Sequence, residues 1–500
     1  MKSNSTTKQY RGKVGAFLTI SLSVILLSIY PIIHIIYGFY WGLFALSIMY
    51  IPNIFAFWQI TNFPRSSKHS KWSWGTLLIL MPLGGFFIYL KAGYIPLNTK
   101  LKNKNSELLE KGIYQKVEVD SEIESIFEDN FLQYNKAVTS NNKIDLIKQG
   151  FNKTESLISD IEKAETFINI KYFIINDGIM WRKIENSLIK KIKEGVKVRI
   201  LIDYVGSVAT EDYKYERIMR AGAELVQFNK VFFSKLTGEA NYRMHKKLIV
   251  IDNKVAYIGG LNIGDEYSHL SPKYGYWEDL HFRVEGEVVD QLNKQFIVQW
   301  FMETDVIINN KAEIHKVDNK LDCQVISDGP QFKKTAFVDN LIKMIKESKT
   351  SLKLVSPYLV LPSNITSELI EAVRRGVKVD IFIPGKADKK SAFWAGKYYA
   401  EDLSSYGVNV YRTENIFLHS KVYIKDDNVA IIGSTNLDFR ALFLHHEFNL
   451  VVNSNEFVSD LIEYTEDIKK ISYKCKKSSN NWNLIKKFNY QIIKLASPML

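Results

Sequence analysis

The chain has 500 residues, 46% hydrophobic and 24% charged, too many for one ordinary domain and too apolar for a disordered chain. Its two cysteines, Cys323 and Cys475, exclude a disulfide framework and lack metal-ligand spacing, so neither a structural metal nor a cofactor is expected. The net charge of +12 suggests nucleic acid only until its distribution is read. Eleven of the 66 basic residues and none of the acidic ones precede Glu107, which leaves 55 basic against 54 acidic residues afterwards.

The basic excess belongs to an N-terminal segment whose residues 14–64 contain no Asp, Glu, Lys or Arg. About 20 apolar residues cross a bilayer, so this run of 51 holds two spans, expected at 14–36 and 40–60 with a turn at 37–40. A basic loop with Arg65, Lys68 and Lys71 follows, then a third apolar stretch, "WGTLLILMPLGGFFIYL", at 74–90. Trp41, Trp58, Trp72 and Trp74 stand where interfacial aromatics are expected. The run is far too long for a signal peptide. Three spans would leave basic flanks on both sides of the membrane, a conflict that a re-entrant third stretch removes. Residues 1–95 therefore read as a membrane anchor of two or three apolar spans, and the chain as a multi-pass protein of the cell membrane.

The remainder is doubled. "ESLISDIEKAE", "TFINIKYFII", "WRKIENSLIKKIKEG" and "VKVRILID" predict helix, strand, helix, strand over 155–203. "FVDNLIKMIKES", "KTSLKLVSPYLV", "NITSELIEAVRRG" and "VKVDIFIP" repeat that order over 337–384. The fold class is α/β: two tandem copies of one unit at 96–315 and 316–480, each a mixed, mostly parallel sheet flanked by helices. Residues 481–500 form a tail. In it Ile485, Phe488, Ile492 and Leu495 share a helical face, with Lys486, Lys487 and Lys494 mostly off it. Such a helix either lies at a lipid headgroup boundary or packs on the core.

Each copy carries one unusual phrase. "MHKKLIVIDNKVAYIGGLNIGD" begins at Met244 and "LHSKVYIKDDNVAIIGSTNLD" at Leu418, both of the form H-x-K-x4-D-x6-G-(G/S)-x-N. Period two in an extended chain puts His245 with Lys247, and His419 with Lys421, on one face. Asp252 and Asp426 complete the catalytic motif, although their settings, Asp252-Asn253 and Asp426-Asp427-Asn428, suit fixing a turn better than carrying protons. Asn262 and Asn436 supply amide donors for phosphate oxygens. One imidazole would attack phosphorus while the other protonates the leaving alcohol, with the lysines and asparagines holding the non-bridging oxygens. Asp279 in "WEDLHFRVEG" and Glu447 in "HHEFNLVVN" each precede a strand and read as the orienting partners, one for each histidine. No metal is needed for this chemistry.

At these residues the sequence resembles the phospholipase D superfamily, whose hallmark is the doubled histidine-lysine-aspartate motif, over residues 145–471. Spans followed by two full motifs, "YGYWEDLHFRVEGEVV" and the ending "IIKLASPML" look like the bacterial cardiolipin synthase family within it. The resemblance implies two phospholipase D-like halves and a phosphatidyltransferase. It implies transfer of a phosphatidyl group from one phosphatidylglycerol to another, with His245 as nucleophile and His419 as general acid. Sequence alone does not orient that pair. Family members usually carry two N-terminal spans, against three apolar stretches here. Phosphatidylglycerol and anionic membrane lipid are the implied partners, and the nearly neutral catalytic part argues against nucleic acid. Hydrolysis to phosphatidic acid and, further off, nuclease activity are the alternatives. A catalytically dead scaffold is disfavoured because both motifs are complete.

Overall fold

The computed structural model describes residues 31–63, 65–81, 83–93, 137–207, 215–230, 241–308, 315, 317–330, 332, 334–476 and 483–499. Most of the expected first span, residues 14–30, lies outside them. The described residues fall into two compact units, one holding the N-terminal helices with Asn241 and residues 494–499, the other holding both α/β copies.

In the first unit, residues 31–37 are helical and Gly38, at φ 90°, ends that turn. Helix α1 (Phe39–Asn62) follows, and its 24 residues rise about 36 Å at 1.5 Å per residue. Among the described residues it is the one helix long and apolar enough to cross a membrane. The third apolar stretch does not run as a single span. It forms α2 (Lys68–Leu80) and α3 (Gly84–Ala92), of 13 and 9 residues, each too short for a hydrocarbon core of about 30 Å. The break falls in "MPLGG", where Leu83 adopts φ 57°. Asn53 of α1 stitches this corner, donating to the carbonyls of Leu78 at 2.6 Å and Met81 at 3.0 Å. The Leu78 carbonyl lies in the last turn of α2, where helical donors run out, and the Met81 carbonyl also accepts from the Gly85 N–H at 2.7 Å. Ala56, Ile60, Leu78 and Tyr89 pack around Trp74, whose ring meets Tyr89 edge-on at 5.7 Å. Trp74 is thus a packing residue rather than an interfacial anchor, whereas Trp41, Trp58 and Trp72 remain exposed.

The second unit follows the doubled pattern. The first copy runs β1 (Val138–Lys148), α4 (Gly150–Glu162), β2 (Phe167–Tyr172), α5 (Ile179–Lys193), β3 (Lys197–Asp203) and β4 (Glu224–Phe228). It continues through β5 (Leu248–Ile251), β6 (Val255–Gly259), β7 (Trp277–Glu278), β8 (Leu280–Gly286) and α6 (Val288–Thr304). The second copy opens with β9 (Lys320–Asp328), α7 (Ala336–Glu347), β10 (Ser351–Val355), α8 (Ser363–Arg374), β11 (Lys378–Ile383), α9 (Lys390–Ser405) and β12 (Asn409–Thr413). Then come β13 (Phe417–Leu418), β14 (Val422–Lys425), β15 (Val429–Gly433), β16 (Glu447–Asn453), α10 (Asn455–Lys470), β17 (Ser472–Lys474) and α11 (Leu484–Ala496).

Fifteen of these strands form one sheet, ordered β17-β12-β11-β10-β14-β15-β16-β9-β1-β8-β6-β5-β2-β3-β4. The outer strands β2-β3-β4 and β10-β11-β12 are parallel, joined by connections long enough to cross over. Every other neighbouring pair in it is antiparallel, so the sheet is mixed but not mostly parallel. The reason is local. Asp252 and Asn253 take left-handed φ of 52° and 58°, a tight turn that can join only antiparallel neighbours. The two copies meet where β1 pairs with β9, Val138 opposite Gln324. Across that seam Phe282, Val284 and Phe296 of one copy share a core with Leu450, Val452 and Phe457 of the other. A joint core of this kind leaves neither half free to move as a separate domain.

Candidate active site

The H-x-K segments are seated by main-chain bonds that cross between the copies. The His245 N–H donates to the carbonyl of His446 at 3.0 Å, and the His446 N–H donates back to Arg243 at 2.9 Å. In the other direction β13 lies parallel to β7, Phe417 opposite Trp277, and the His419 N–H donates to Glu278 at 2.7 Å. Each histidine is therefore one residue out of register with the acid of the opposite copy. His245 meets Glu447, and His419 meets Asp279.

The two pairs are alike in plan and different in detail. Nδ1 of His419 lies 2.6 Å from Oδ2 of Asp279, in a buried and aligned hydrogen bond. A carboxylate only accepts, so Nδ1 carries the proton and Nε2 is the free nitrogen. Lys421 Nζ, 2.8 Å from the same Nδ1, then has no acceptor there and donates instead to the carbonyl of His419. Nδ1 of His245 stands 2.9 Å from Oε1 of Glu447 without the alignment of a hydrogen bond. A second imidazole, His445, stands 3.5 Å from the same oxygen. Glu447 is thus shared, whereas Asp279 is not.

The third residue from the end of each motif explains how the acids fit. Gly260 faces Asp279, and a Cβ there would collide with its carboxylate. Ser434 occupies the matching place in the second copy and donates its hydroxyl to Oε2 of Glu447 at 2.5 Å. The G-(G/S) position is where each motif meets a buried carboxylate, by making room or by binding it.

Burial and the lysines set the protonation states. Desolvation, then Lys247 and Lys421, pushes His245 well below the ordinary histidine range. Desolvation and Lys421 push His419 down to about 4, with Asp279 opposing. Burial alone would raise Asp279, but Lys421 and His419 outweigh it and hold it low. Burial raises Glu447 despite His445, Lys247 and Ser434. The ammonium groups of Lys247 and Lys421 are lowered to about 7 and about 8, chiefly by desolvation. A resting site with two neutral imidazoles and two weakened cations is poised for an anion, which would favour charge on both lysines.

Asn262 and Asn436 are buried near the ends of the motifs, and their side-chain oxygens meet no donor among the described residues. A half-turn of each amide brings an N–H to the same point. Asp252 and Asp426 are elsewhere, at the hairpin turns. Asp252 accepts from the N–H groups of Glu165, Thr166 and Phe167 at 2.6–2.8 Å and from the Thr166 hydroxyl at 2.5 Å. Asp426 does the same for Lys349, Thr350 and Ser351. Both clamp the entry of a parallel strand.

Sequence reasoning missed four contributors. Lys153 on α4 is buried and donates to the carbonyls of Leu261 at 3.1 Å and Asn262 at 3.3 Å, the loop that carries the first amide. In the second copy the Tyr423 hydroxyl serves the Thr435 carbonyl at 2.6 Å instead. His445 competes for Glu447, and Trp277 packs its ring 4.7 Å from that of His419. Among the described residues, the only three donors close enough to share a metal ion are His245, His445 and Glu447, within 4.8 Å of one another. A cation there would compete with His245 for the Glu447 carboxylate.

The family model described as "Cardiolipin synthase, PLD-like domain" matches residues 157–300 and 341–469, more than half of the chain and both motifs. One described as "Phospholipase_D-nuclease N-terminal" matches 51–93. Cardiolipin synthase of Oceanobacillus iheyensis is 32% identical over 478 residues, spanning 91% of this chain and 98% of that protein. Cardiolipin synthase 1 of Staphylococcus epidermidis is 32% identical over 460 residues, spanning 87% and 93%. In fold, the crystal structure of phosphatidylserine synthase from Haemophilus influenzae superposes on 75% of the chain and 100% of its own, at 14% identity and a TM-score of 0.57. The chain belongs to the cardiolipin synthase family of the phospholipase D superfamily and is a phosphatidyltransferase.

Proposed function

We propose that the enzyme transfers a phosphatidyl group from one phosphatidylglycerol to the headgroup of another through a phosphohistidine. Nε2 of His245 attacks phosphorus, and the bond from phosphorus to the glycerol headgroup oxygen breaks. His419, which takes up a proton on Nε2 once the phosphate anion is bound, gives it to that oxygen and glycerol leaves. A headgroup hydroxyl of the second phosphatidylglycerol then loses its proton to His419 and attacks the same phosphorus. The P–N bond breaks, and cardiolipin and free His245 result. Lys247, Lys421, Asn262 and Asn436 hold the non-bridging oxygens through both steps.

The observation that carries this reading is the crossed pairing of the two histidines with carboxylates from opposite copies. It supports the division of labour as well. An imidazole backed by an unshared, ionised carboxylate keeps a proton more readily, which suits His419 to acid–base work. His245, with cations nearby and only part of a carboxylate, stays neutral, as a nucleophile must. The near-neutral charge after residue 106 supports lipid rather than nucleic acid as substrate. A charge-free run at 14–64, with a helical hairpin after it, supports an anchor that crosses the membrane twice.

The test is incubation of the bilayer-embedded protein with phosphatidylglycerol alone, without added metal. Cardiolipin with one glycerol released per molecule is the expected outcome. Phosphatidic acid in its place would make water the acceptor and overturn the transfer. Label from the phosphatidyl moiety should be trapped on the wild-type protein and absent from His245→Ala.

A further inference from the structure

Helix α11 has two faces with different company. On one, Tyr490 is 4% exposed, stacks on Tyr398 at 6.0 Å, meets Tyr399 edge-on at 5.7 Å and donates its hydroxyl to Asp402 at 2.8 Å. Lys486 pairs with Glu401, and Ile493 packs against the second copy's core. Core packing thus explains this face and fixes the rotation of the helix. The other face carries Ile485, Phe488 and Ile492, which are 71%, 65% and 49% exposed, with Leu484 beside them at 84%. Positions i, i+3 and i+7 form a single stripe along a helix. Contiguous large apolar side chains left in water beside a docked face mark an interaction surface.

Two observations name the occupant. Residues 494–499 belong to the same compact unit as α1, and the Lys494 carbonyl contacts the His69 ring at the start of α2. The chain that carries the stripe therefore runs on, two residues past Ile492, into residues that belong with the N-terminal helices. Residues 475–500 contain five lysines and no acidic residue, and Lys487 is exposed next to Phe488. That charge repels a second copy of the same face and attracts anionic headgroups.

We propose that α11 lies in the surface of an anionic bilayer, with Ile485, Phe488 and Ile492 among the acyl chains and Lys487 among the phosphates. The inference rests on the membrane-anchored reading above. Its test uses the full chain with Cys475→Ser, since Cys323 is buried, reconstituted into vesicles containing phosphatidylglycerol. Single cysteines at 488, 492, 489 or 491 carry an environment-sensitive fluorophore, and spin-labelled lipid is the quencher. Labels at 488 and 492 are expected to be quenched several-fold more than labels at 489 and 491. Equal quenching at all four positions would overturn the proposal. So would a 488-to-488 cross-link between copies without lipid quenching. When phosphatidylcholine replaces phosphatidylglycerol, quenching at 488 should fall, and unchanged quenching would overturn the role given to the lysines. Lipid turnover in the same vesicles separates the two readings. Lost contrast with turnover intact condemns the helix assignment alone, whereas lost turnover with the contrast intact bears on the catalytic reading.

Discussion

Asp279→Asn is isosteric and removes one charge, which makes it a sharp probe of the crossed pairs. Both Asp279 oxygens are in use: Oδ2 accepts from His419 at 2.6 Å, and Oδ1 accepts from the Leu280 N–H at 2.8 Å. An amide offers only one acceptor. Whichever way the substituted amide turned, its NH2 would face either the Leu280 N–H or the His419 Nδ1–H, donor against donor. The site escapes by breaking one bond or by moving the imidazole proton to Nε2, the nitrogen that must exchange protons with substrate. Losing a buried hydrogen bond to a charged group costs about 1.5–3 kcal/mol, and 1.36 kcal/mol is one decade of rate. The turnover of phosphatidylglycerol should therefore fall roughly 10- to 150-fold. The tautomer change pushes the effect toward the upper end, because a neutral imidazole protonated on Nε2 has no lone pair there to take the acceptor hydroxyl's proton. The assay is initial-rate cardiolipin formation in vesicles, with expression and thermal inactivation as folding controls. Glu447→Gln should cost less, since Glu447 is already raised and already shared. A folded Asp279→Asn enzyme within about threefold of wild type would refute the idea that this carboxylate fixes the tautomer of His419.

The pH profile should be asymmetric in a stated way. Lys247 and Lys421 lose their protons near pH 7 and 8 in the empty site, so kcat/KM should decline as pH rises through that window. A bound phosphate anion favours the ammonium forms, so the alkaline limb of kcat should lie higher; coincident limbs would argue against the lysines as the anion cradle. Lys153→Met leaves the Leu261 and Asn262 carbonyls without their donor, and a loss of about 2 kcal/mol, roughly 30-fold in kcat/KM, is expected. Tyr423→Phe should show a smaller effect of the same kind, and an unaffected Lys153→Met enzyme would remove α4 from the site. Asp252→Ala cuts a cluster of hydrogen bonds and places Ala at φ 52°, so stability should fall by about 2–4 kcal/mol. Activity per folded molecule should stay close to wild type; a selective loss of turnover would return Asp252 to the reaction.

The duplication, both histidines, both lysines and both acids were legible because chemistry fixes residue types at fixed spacing, and a repeat raises that signal above chance. What joins them was not. The bonds that set His245 beside Glu447 and His419 beside Asp279 run between main chains some 140 or more residues apart, and a backbone N–H leaves no mark in a sequence. Lys153 was illegible for a related reason: on an amphipathic helix a lysine reads as solvated, and only the fold shows its ammonium turned inward under a loop. The sheet was misread where helix–strand alternation was extended to strands that the motif's own tight turn makes antiparallel. Apolar composition likewise concealed the break in residues 74–90, which "MPLGG" carried in plain view. The same limit applies to the G-(G/S) position. As a pattern it looks like tolerance of two small residues. In the fold it distinguishes a carboxylate admitted by the absence of a side chain from one bound by a hydroxyl. Two copies of one sentence thus build a site whose halves are unequal, and the two-step transfer proposed above needs that inequality: one imidazole must stay bare while the other carries the proton.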